Sequence, residues 1–309
     1  MNEQHPDITT YYIRTKNKTR KIVSYISDDC ELRNTHLKIN NFLERRFIPS
    51  IFSKGYIKNR SIYHNAQSHM YNDYFILMDI KDFFHSICHK QLAQKIFYEI
   101  NLTKSNQINL LECYKLISLC SIDSRGLPLG FITSPILSNI YLKDFDNIFY
   151  GKLKELNLDN IIYTRYADDL TVSYKTKSTV KDVNMEAKIA ETASNILKRY
   201  GLKLNNRKTR SINLNVSNHV RITGVNITKN NYNFRHLTVG RSIKNQLYWD
   251  ALKCIDSDND LLKNKVKGML SFVLSIEKAG FETCYSDLMM AKVYSLGFSS
   301  LAELIMSIK

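Results

Sequence analysis

The sequence predicts an α+β fold: a small antiparallel sheet backed by helices, followed by a C-terminal part that is helical throughout. Three observations carry this. Ile161 to Arg165 and Leu170 to Tyr174 are rich in β-branched and aromatic residues and flank Tyr166-Ala167-Asp168-Asp169, so they read as two strands joined by a tight turn. Tyr74 to Met78 is a continuous apolar run, as expected of a strand buried on both faces. From about Gly240 onward apolar residues recur at helical spacing.

Taken in order, Tyr12 to Val23 looks like a strand hairpin with basic residues at its turn. Leu32 to Phe47 reads as a helix with Leu37, Ile39, Phe42 and Leu43 on its apolar stripe. Ser61 to Met70 leads into the buried strand. Lys90 to Leu119 reads as helical, with Leu92, Ile96 and Ile100 at helix spacing. Arg125 to Gly130 is a loop. Ser134-Pro135 starts a helix, with Ser as N-cap, Pro in the first turn and Leu137, Tyr141 and Ile148 on the inner face. Met185 to Tyr200 is a strong amphipathic helix that Gly201 stops. Three helices should follow: one opened by Ile243 and Leu247, one carrying Leu262, Val266, Met269, Leu270 and Val273, and one from Phe281 to Tyr294. Ten glycines and four prolines leave little room for long loops.

The chain has 309 residues, with 44 basic against 29 acidic side chains and a formal net charge of +15. That excess points to a polyanionic partner and to binding that weakens steeply with salt. An anionic membrane surface is the alternative, but no amphipathic anchor or lipidation signal accompanies the charge. The polar N-terminus is no signal peptide and no apolar run approaches transmembrane length. Six cysteines are scattered without a CxxC pair, which is the usage of a reduced, cytoplasmic protein. His85, Cys88 and His89 sit at helical spacing, but no second cluster would complete a zinc site.

The acids carry the chemistry. Two adjacent carboxylates at the tip of a hairpin repel one another, and a turn needs only one short polar residue. Asp79 ends the buried strand, where an acid is costly unless a partner or metal satisfies it. Asp79, Asp168 and Asp169 on neighbouring strand ends would form a two-metal phosphoryl-transfer site, with Mg²⁺ as the cation suited to hard oxygen ligands.

At these residues the chain resembles the reverse transcriptases, and among them the retron enzymes of bacteria. Asp79 matches the family's first catalytic aspartate, and Asp168 and Asp169 match the pair of its YxDD turn. Asn65-Ala66-Gln67-Ser68-His69 fits the NAxxH element of the retron enzymes, and Arg221-Ile222-Thr223-Gly224 is similar to their VTG element. The resemblance implies a right-hand polymerase with fingers at residues 1–73, a palm at 74–235 with a helical insertion at about 90–125, and a helical thumb at 236–309. It implies that Phe84 is a steric gate against the ribose 2′-hydroxyl and that Pro128, Leu129 and Gly130 shape the nucleotide pocket. Arg20, with Lys21 second, would hold the triphosphate, and Lys208 would protonate pyrophosphate. Tyr166, Asn65, His69, Thr223 and Gly224 would contact primer and template. Lys263, Lys265 and Lys267 are candidate phosphate contacts.

Two departures stand out. Leu129 occupies the place of a glutamine that usually orients nucleotide and template base, and Phe131 replaces a small residue and is expected to crowd the pocket floor. The resemblance further implies dNTP substrates with two Mg²⁺ ions, and partnership with a structured non-coding RNA, its DNA product and the RNA–DNA duplex between them. It also implies an effector protein from the same locus in anti-phage defence, with no membrane involved. Another bacterial defence or diversity-generating reverse transcriptase, or a non-catalytic RNA-binding scaffold, are the alternatives.

Overall fold

The computed structural model describes residues 6–15, 18–102, 107–175, 184–230, 232–255, 257–278 and 280–308. In chain order the elements are β1 (Ile8–Thr15), β2 (Lys18–Tyr25), α1 (Glu31–Glu44), α2 (Ile62–Ser68), β3 (Tyr74–Asp79), α3 (Phe83–Ser86), α4 (His89–Ile100), α5 (Leu110–Leu119), α6 (Ser134–Lys154), β4 (Asp159–Tyr166) and β5 (Asp169–Lys175). They continue with α7 (Met185–Arg199), β6 (Arg210–Asn213), β7 (His219–Ile222), β8 (Val225–Lys229), β9 (Arg235–Thr238), α8 (Arg241–Ile255), α9 (Asp260–Glu277), a 3₁₀ turn (Phe281–Cys284), α10 (Asp287–Ser295) and α11 (Leu301–Ser307). Two compact units result: Met1–Ser61 with Tyr74–Ser211, and Ile62–Asp73 with Ile212–Lys309.

The first unit is built on a sheet of strand order β4-β5-β3-β6. The apolar run of β3 has both faces to cover, and it pairs antiparallel with β5 from Tyr74 opposite Tyr174 to Asp79 opposite Asp169. Its Ile76 and Met78 share a core with Leu170 and Val172 of β5, Leu92 and Ile96 of α4, Phe145 and Phe149 of α6, and Ile189 and Leu197 of α7. Burying side chains of that size drives this unit's assembly, at about 1.5–3 kcal/mol each.

The hairpin β1–β2 pairs antiparallel along its length, with Ile13 opposite Arg20 and Tyr12 opposite Lys21. The turn expected to carry basic residues includes 16–17, which lie outside the described residues. The Val23 amide donates to the Leu129 carbonyl at 2.8 Å, which ties the Leu127–Gly130 loop to β2. Gly130 is obligatory there: its φ is +112°, and a Cβ would overlap the Val23 carbonyl oxygen.

Several expected details are corrected. The helical stretch from Lys90 to Leu119 is two helices, because Asn109 and Glu112 form a reciprocal capping box that starts α5 afresh. Ser134 is the first residue of α6 rather than its cap; its hydroxyl donates to the Pro128 carbonyl at 2.7 Å instead. The inner face of α6 runs through Leu137, Tyr141, Phe145 and Phe149, while Ile148 is exposed. On α1 the buried positions are His36 and Leu43, and Leu37 faces solvent. Phe131 does not crowd a pocket floor. It is buried with Ile8 and Val23 in a satellite core, stacked on Tyr25 at 5.4 Å and edge-on to His36 at 4.7 Å. The expected helix from Phe281 to Tyr294 is a 3₁₀ turn and then α10, which Ser286 caps through the Met289 amide.

The second unit has a three-stranded antiparallel sheet, β7-β8-β9, on which α2 packs. Helices α8 and α9 pack together, and α11 lies against both. Lys244 of α8 pairs with Glu277 of α9 at 2.9 Å, and Glu277 also accepts from the Thr238 hydroxyl of β9 at 2.7 Å, so one nearly buried ion pair fastens both helices to the sheet edge. Lys265 pairs with Asp250 at 2.9 Å and Lys263 lies 4.0 Å from Asp260. No helix among the described residues is long and apolar enough to cross a membrane.

Candidate active site

The three acids meet in the first unit because three backbone segments end together. Tyr166 pairs with Asp169 across the β4–β5 ladder, leaving Ala167 and Asp168 as a two-residue turn. Ala167 has φ 55°, a conformation that a two-residue hairpin turn demands and a non-glycine residue seldom adopts. Asp79 stands directly opposite Asp169 in the β3–β5 register, so their side chains share one face of the sheet with Cα atoms about 4.5–5.5 Å apart. The Ile80 amide donates to the Asp168 carbonyl at 2.9 Å. On the other side Lys81 donates to the Lys203 carbonyl at 2.8 Å, and Asn205 donates to the Asp79 carbonyl at 2.7 Å.

Charge repulsion is visible at the cluster. Burial raises the Asp169 carboxyl, and the charges of Asp168 and Asp79 add to it, reaching about 6. Burial also raises Asp168, with Asp79 adding and Lys208 and Arg20 opposing. Lys208 Nζ donates to Asp79 Oδ1 at 2.7 Å and Asn205 Nδ2 to Asp79 Oδ2 at 3.1 Å. That hydrogen bond to Asp79 holds the Lys208 ammonium above its ordinary value.

This donor set fits Mg²⁺. Burial and the neighbouring carboxylates disfavour the ionised forms of Asp168 and Asp169, which a divalent cation would relieve. Among the described residues no three His, Cys, Asp or Glu side chains are already gathered as a metal cage. Both oxygens of Asp79 instead accept hydrogen bonds, from Lys208 and Asn205.

Other expected site residues are placed as follows. Phe84 of α3 is buried, and its carbonyl accepts from the Leu127 amide at 2.8 Å. Arg20 is exposed on β2 and acts electrostatically on Asp168. Lys21, its neighbour on the strand, points to the opposite face and lines a small cavity with His85, Arg125, Pro128 and Leu129. His89 is committed elsewhere, within 2.7 Å of the Gly126 carbonyl. In the second unit, Asn65 Nδ2 donates to Thr223 Oγ1 at 3.0 Å. Thr223 and Gly224 form the turn between β7 and β8 with φ 44° and 93°, so Asn65 braces a β-branched residue in a left-handed turn. The Asn65 and His69 side chains are buried and shape the unit from inside; Thr223 and Gly224 are the partly exposed members of this group.

Sequence reasoning missed the support under the Ala167–Asp168 turn. Arg165, the residue before Tyr166, is fully buried and pairs with Asp146 of α6 through Nε–Oδ1 at 2.8 Å and Nη2–Oδ2 at 2.9 Å. Its Nη1 donates to Asn139 Oδ1 at 3.1 Å and to the Ala167 carbonyl at 3.3 Å. Asn139 Nδ2 donates to the Gly55 carbonyl at 3.0 Å, and a Cβ on Gly55 would sit 2.8 Å from the Ala167 nitrogen. The available signal was an arginine that follows the apolar run Ile161-Ile162-Tyr163 on a strand, where a buried charge needs a partner of opposite sign.

An acid pair on a strand turn faces a third acid at the end of the neighbouring strand, within a fold of small antiparallel sheets and helices that is consistent with a right-hand nucleic-acid polymerase. Residues 13–227 match the family model described as reverse transcriptase (RNA-dependent DNA polymerase). The chain belongs to that family. It is 32% identical over 233 residues to the retron Ec73 reverse transcriptase of Escherichia coli, covering 72% of this chain and 69% of that protein. It is 25% identical over 234 residues to the retron Ec83 enzyme of the same species, covering 74% and 70%. The structure of telomerase from Candida albicans in complex with a TWJ fragment of telomeric RNA superposes with a TM-score of 0.54 at 12% identity. That match spans 99% of this chain and 66% of the telomerase, and it is a likeness of fold alone, that of a right-hand polymerase.

Proposed function

We propose that this RNA-directed DNA polymerase copies a structured non-coding RNA of its own locus into single-stranded DNA that stays joined to the RNA. The observation that carries the chemistry is the cross-strand pairing of Asp79 with Asp169 beside Asp168. Asp79, Asp168 and Asp169 are the residues that would hold two Mg²⁺ ions. Magnesium bound there supplies acidification of the attacking hydroxyl and charge neutralisation at the leaving oxygen.

The remaining roles belong to side chains. Lys208 lies 2.7 Å from Asp79 with its side chain mostly exposed, so it can leave that carboxylate and donate a proton to departing pyrophosphate. Arg20, exposed on β2, opposes the rise of the Asp168 carboxyl through its charge and is suited to the triphosphate. Phe84 would exclude the 2′-hydroxyl, and Leu129 supplies packing where a polar group would orient the base. Tyr166, Thr223 and Gly224 would meet primer and template. Priming from a guanosine 2′-hydroxyl of the RNA, a defence role beside an effector protein and a cytoplasmic setting belong to this same proposal, as implied by the resemblance of the sequence motifs to the retron enzymes.

Purification from cells carrying the native locus tests this reading. RNA-linked DNA with a 2′–5′ branch is expected. Unbranched DNA would favour another bacterial reverse transcriptase, and no DNA with RNA still bound would favour a non-catalytic scaffold.

A further inference from the structure

We infer that Tyr56 is a substrate-contacting residue of the polymerisation site, offering its ring to the base pair that forms between template and incoming nucleotide. The inference rests on the polymerase reading above and adds a residue that no motif marks.

Its backbone is the first argument. Tyr56 has φ 60°, a left-handed conformation that bulky residues rarely adopt. The loop before it is laced to the catalytic hairpin. Lys54 donates to the Arg165 carbonyl at 2.7 Å, Ser53 bridges Arg165, and Gly55 presses on the Tyr166–Ala167 backbone. The Gly55 carbonyl is held by Asn139 at 3.0 Å. This loop therefore fixes where Tyr56 emerges relative to Asp168.

The ring is the second. It is 51% exposed, so core packing does not explain its position. It stands edge-on to Phe84 and tilted to Tyr166, both with centroids 6.4 Å away. Phe84 follows Asp79 in the chain and Tyr166 precedes Asp168, so Tyr56 links the aromatic neighbours of both arms of the acid cluster. Its phenol also feels the charges of Asp168 and Arg20. A solvent-facing aromatic within reach of the reacting centre is suited to the π-face of a base, whatever the sequence copied.

Single-nucleotide incorporation on an RNA template, with thermal melting alongside, tests this. Tyr56→Phe keeps the ring and should stay within about twofold of wild type, whereas Tyr56→Leu should raise the dNTP KM about tenfold with kcat and Tm little changed. Tyr56→Trp is the second variant, and its fluorescence should change when dNTP joins the primer–template complex. The inference is overturned by wild-type KM in Tyr56→Leu, by an equal loss in Tyr56→Phe, or by no dNTP-dependent signal from the Tyr56→Trp ring. A wild-type protein that extends no primer would instead sink the polymerase reading itself.

Discussion

Arg165 and Asp146 form a two-pronged ion pair that is fully buried directly behind the turn bearing Asp168. The guanidinium also reaches the Ala167 carbonyl, and Tyr163 donates to Asp146 Oδ1 at 2.7 Å. Burial opposes the guanidinium's charge, but Asp146 outweighs it and holds Arg165 above its ordinary value. The pair thus ties α6 to the β4–β5 hairpin. Asp146→Asn leaves a buried cation short of its counter-charge, and a loss of about 3–5 kcal/mol is expected in urea unfolding. A change under about 1 kcal/mol would mean that the turn does not depend on this pair.

Repulsion among the acids has a pH signature. Asp169 is raised to about 6 by burial and then by Asp168 and Asp79, so the folded chain binds that proton more tightly than the unfolded chain does. Its contribution is favourable in acid and becomes a penalty as pH rises from about 4 through about 6. Asp169→Asn should therefore raise Tm at about pH 8 in metal-free buffer, with the gain fading below about pH 5. A Tm difference independent of pH would contradict the shift.

Magnesium should act in the opposite sense on wild type. Addition of Mg²⁺ near neutral pH is expected to raise Tm by binding the folded state, and the rise should shrink below about pH 6 as Asp169 takes up its proton. Asp79→Asn should lose most of the rise. An equal Mg²⁺ response in that variant would show that the ion binds elsewhere.

Gly130 lets the Leu127–Gly130 loop lie against the β1–β2 hairpin. Gly130→Ala combines a left-handed φ of +112° with overlap on the Val23 carbonyl, so a destabilisation of about 1–3 kcal/mol is expected. Retention of wild-type Tm would mean that the hairpin yields freely at this contact.

Much of this architecture could be read from residue patterns, and the failures have physical causes. The β3 and β5 runs and α7 were legible because their faces are uniformly apolar or strictly amphipathic. Asp79 was legible because a strand buried on both faces should not end in an unmet acid. The break between α4 and α5 was missed although the polar run from Thr103 to Gln107 interrupts the apolar spacing and Asn109 with Glu112 announces a new helix start. Ile148 was misplaced because a long helix drifts relative to its core, and Phe145 and Phe149 take the inner positions. Gly55, Tyr56, Asn139 and Asp146 carried no local signal. Their roles arise only when the loop, α6 and the turn are brought together in space.

Primer extension on an RNA template with Mg²⁺, paired with an RNA-binding measurement, tests most directly that Asp79, Asp168 and Asp169 form the polymerising centre. Asp168→Asn should lose extension by at least about a thousandfold while binding RNA as wild type does. Wild type and variant extending at the same rate would contradict the account.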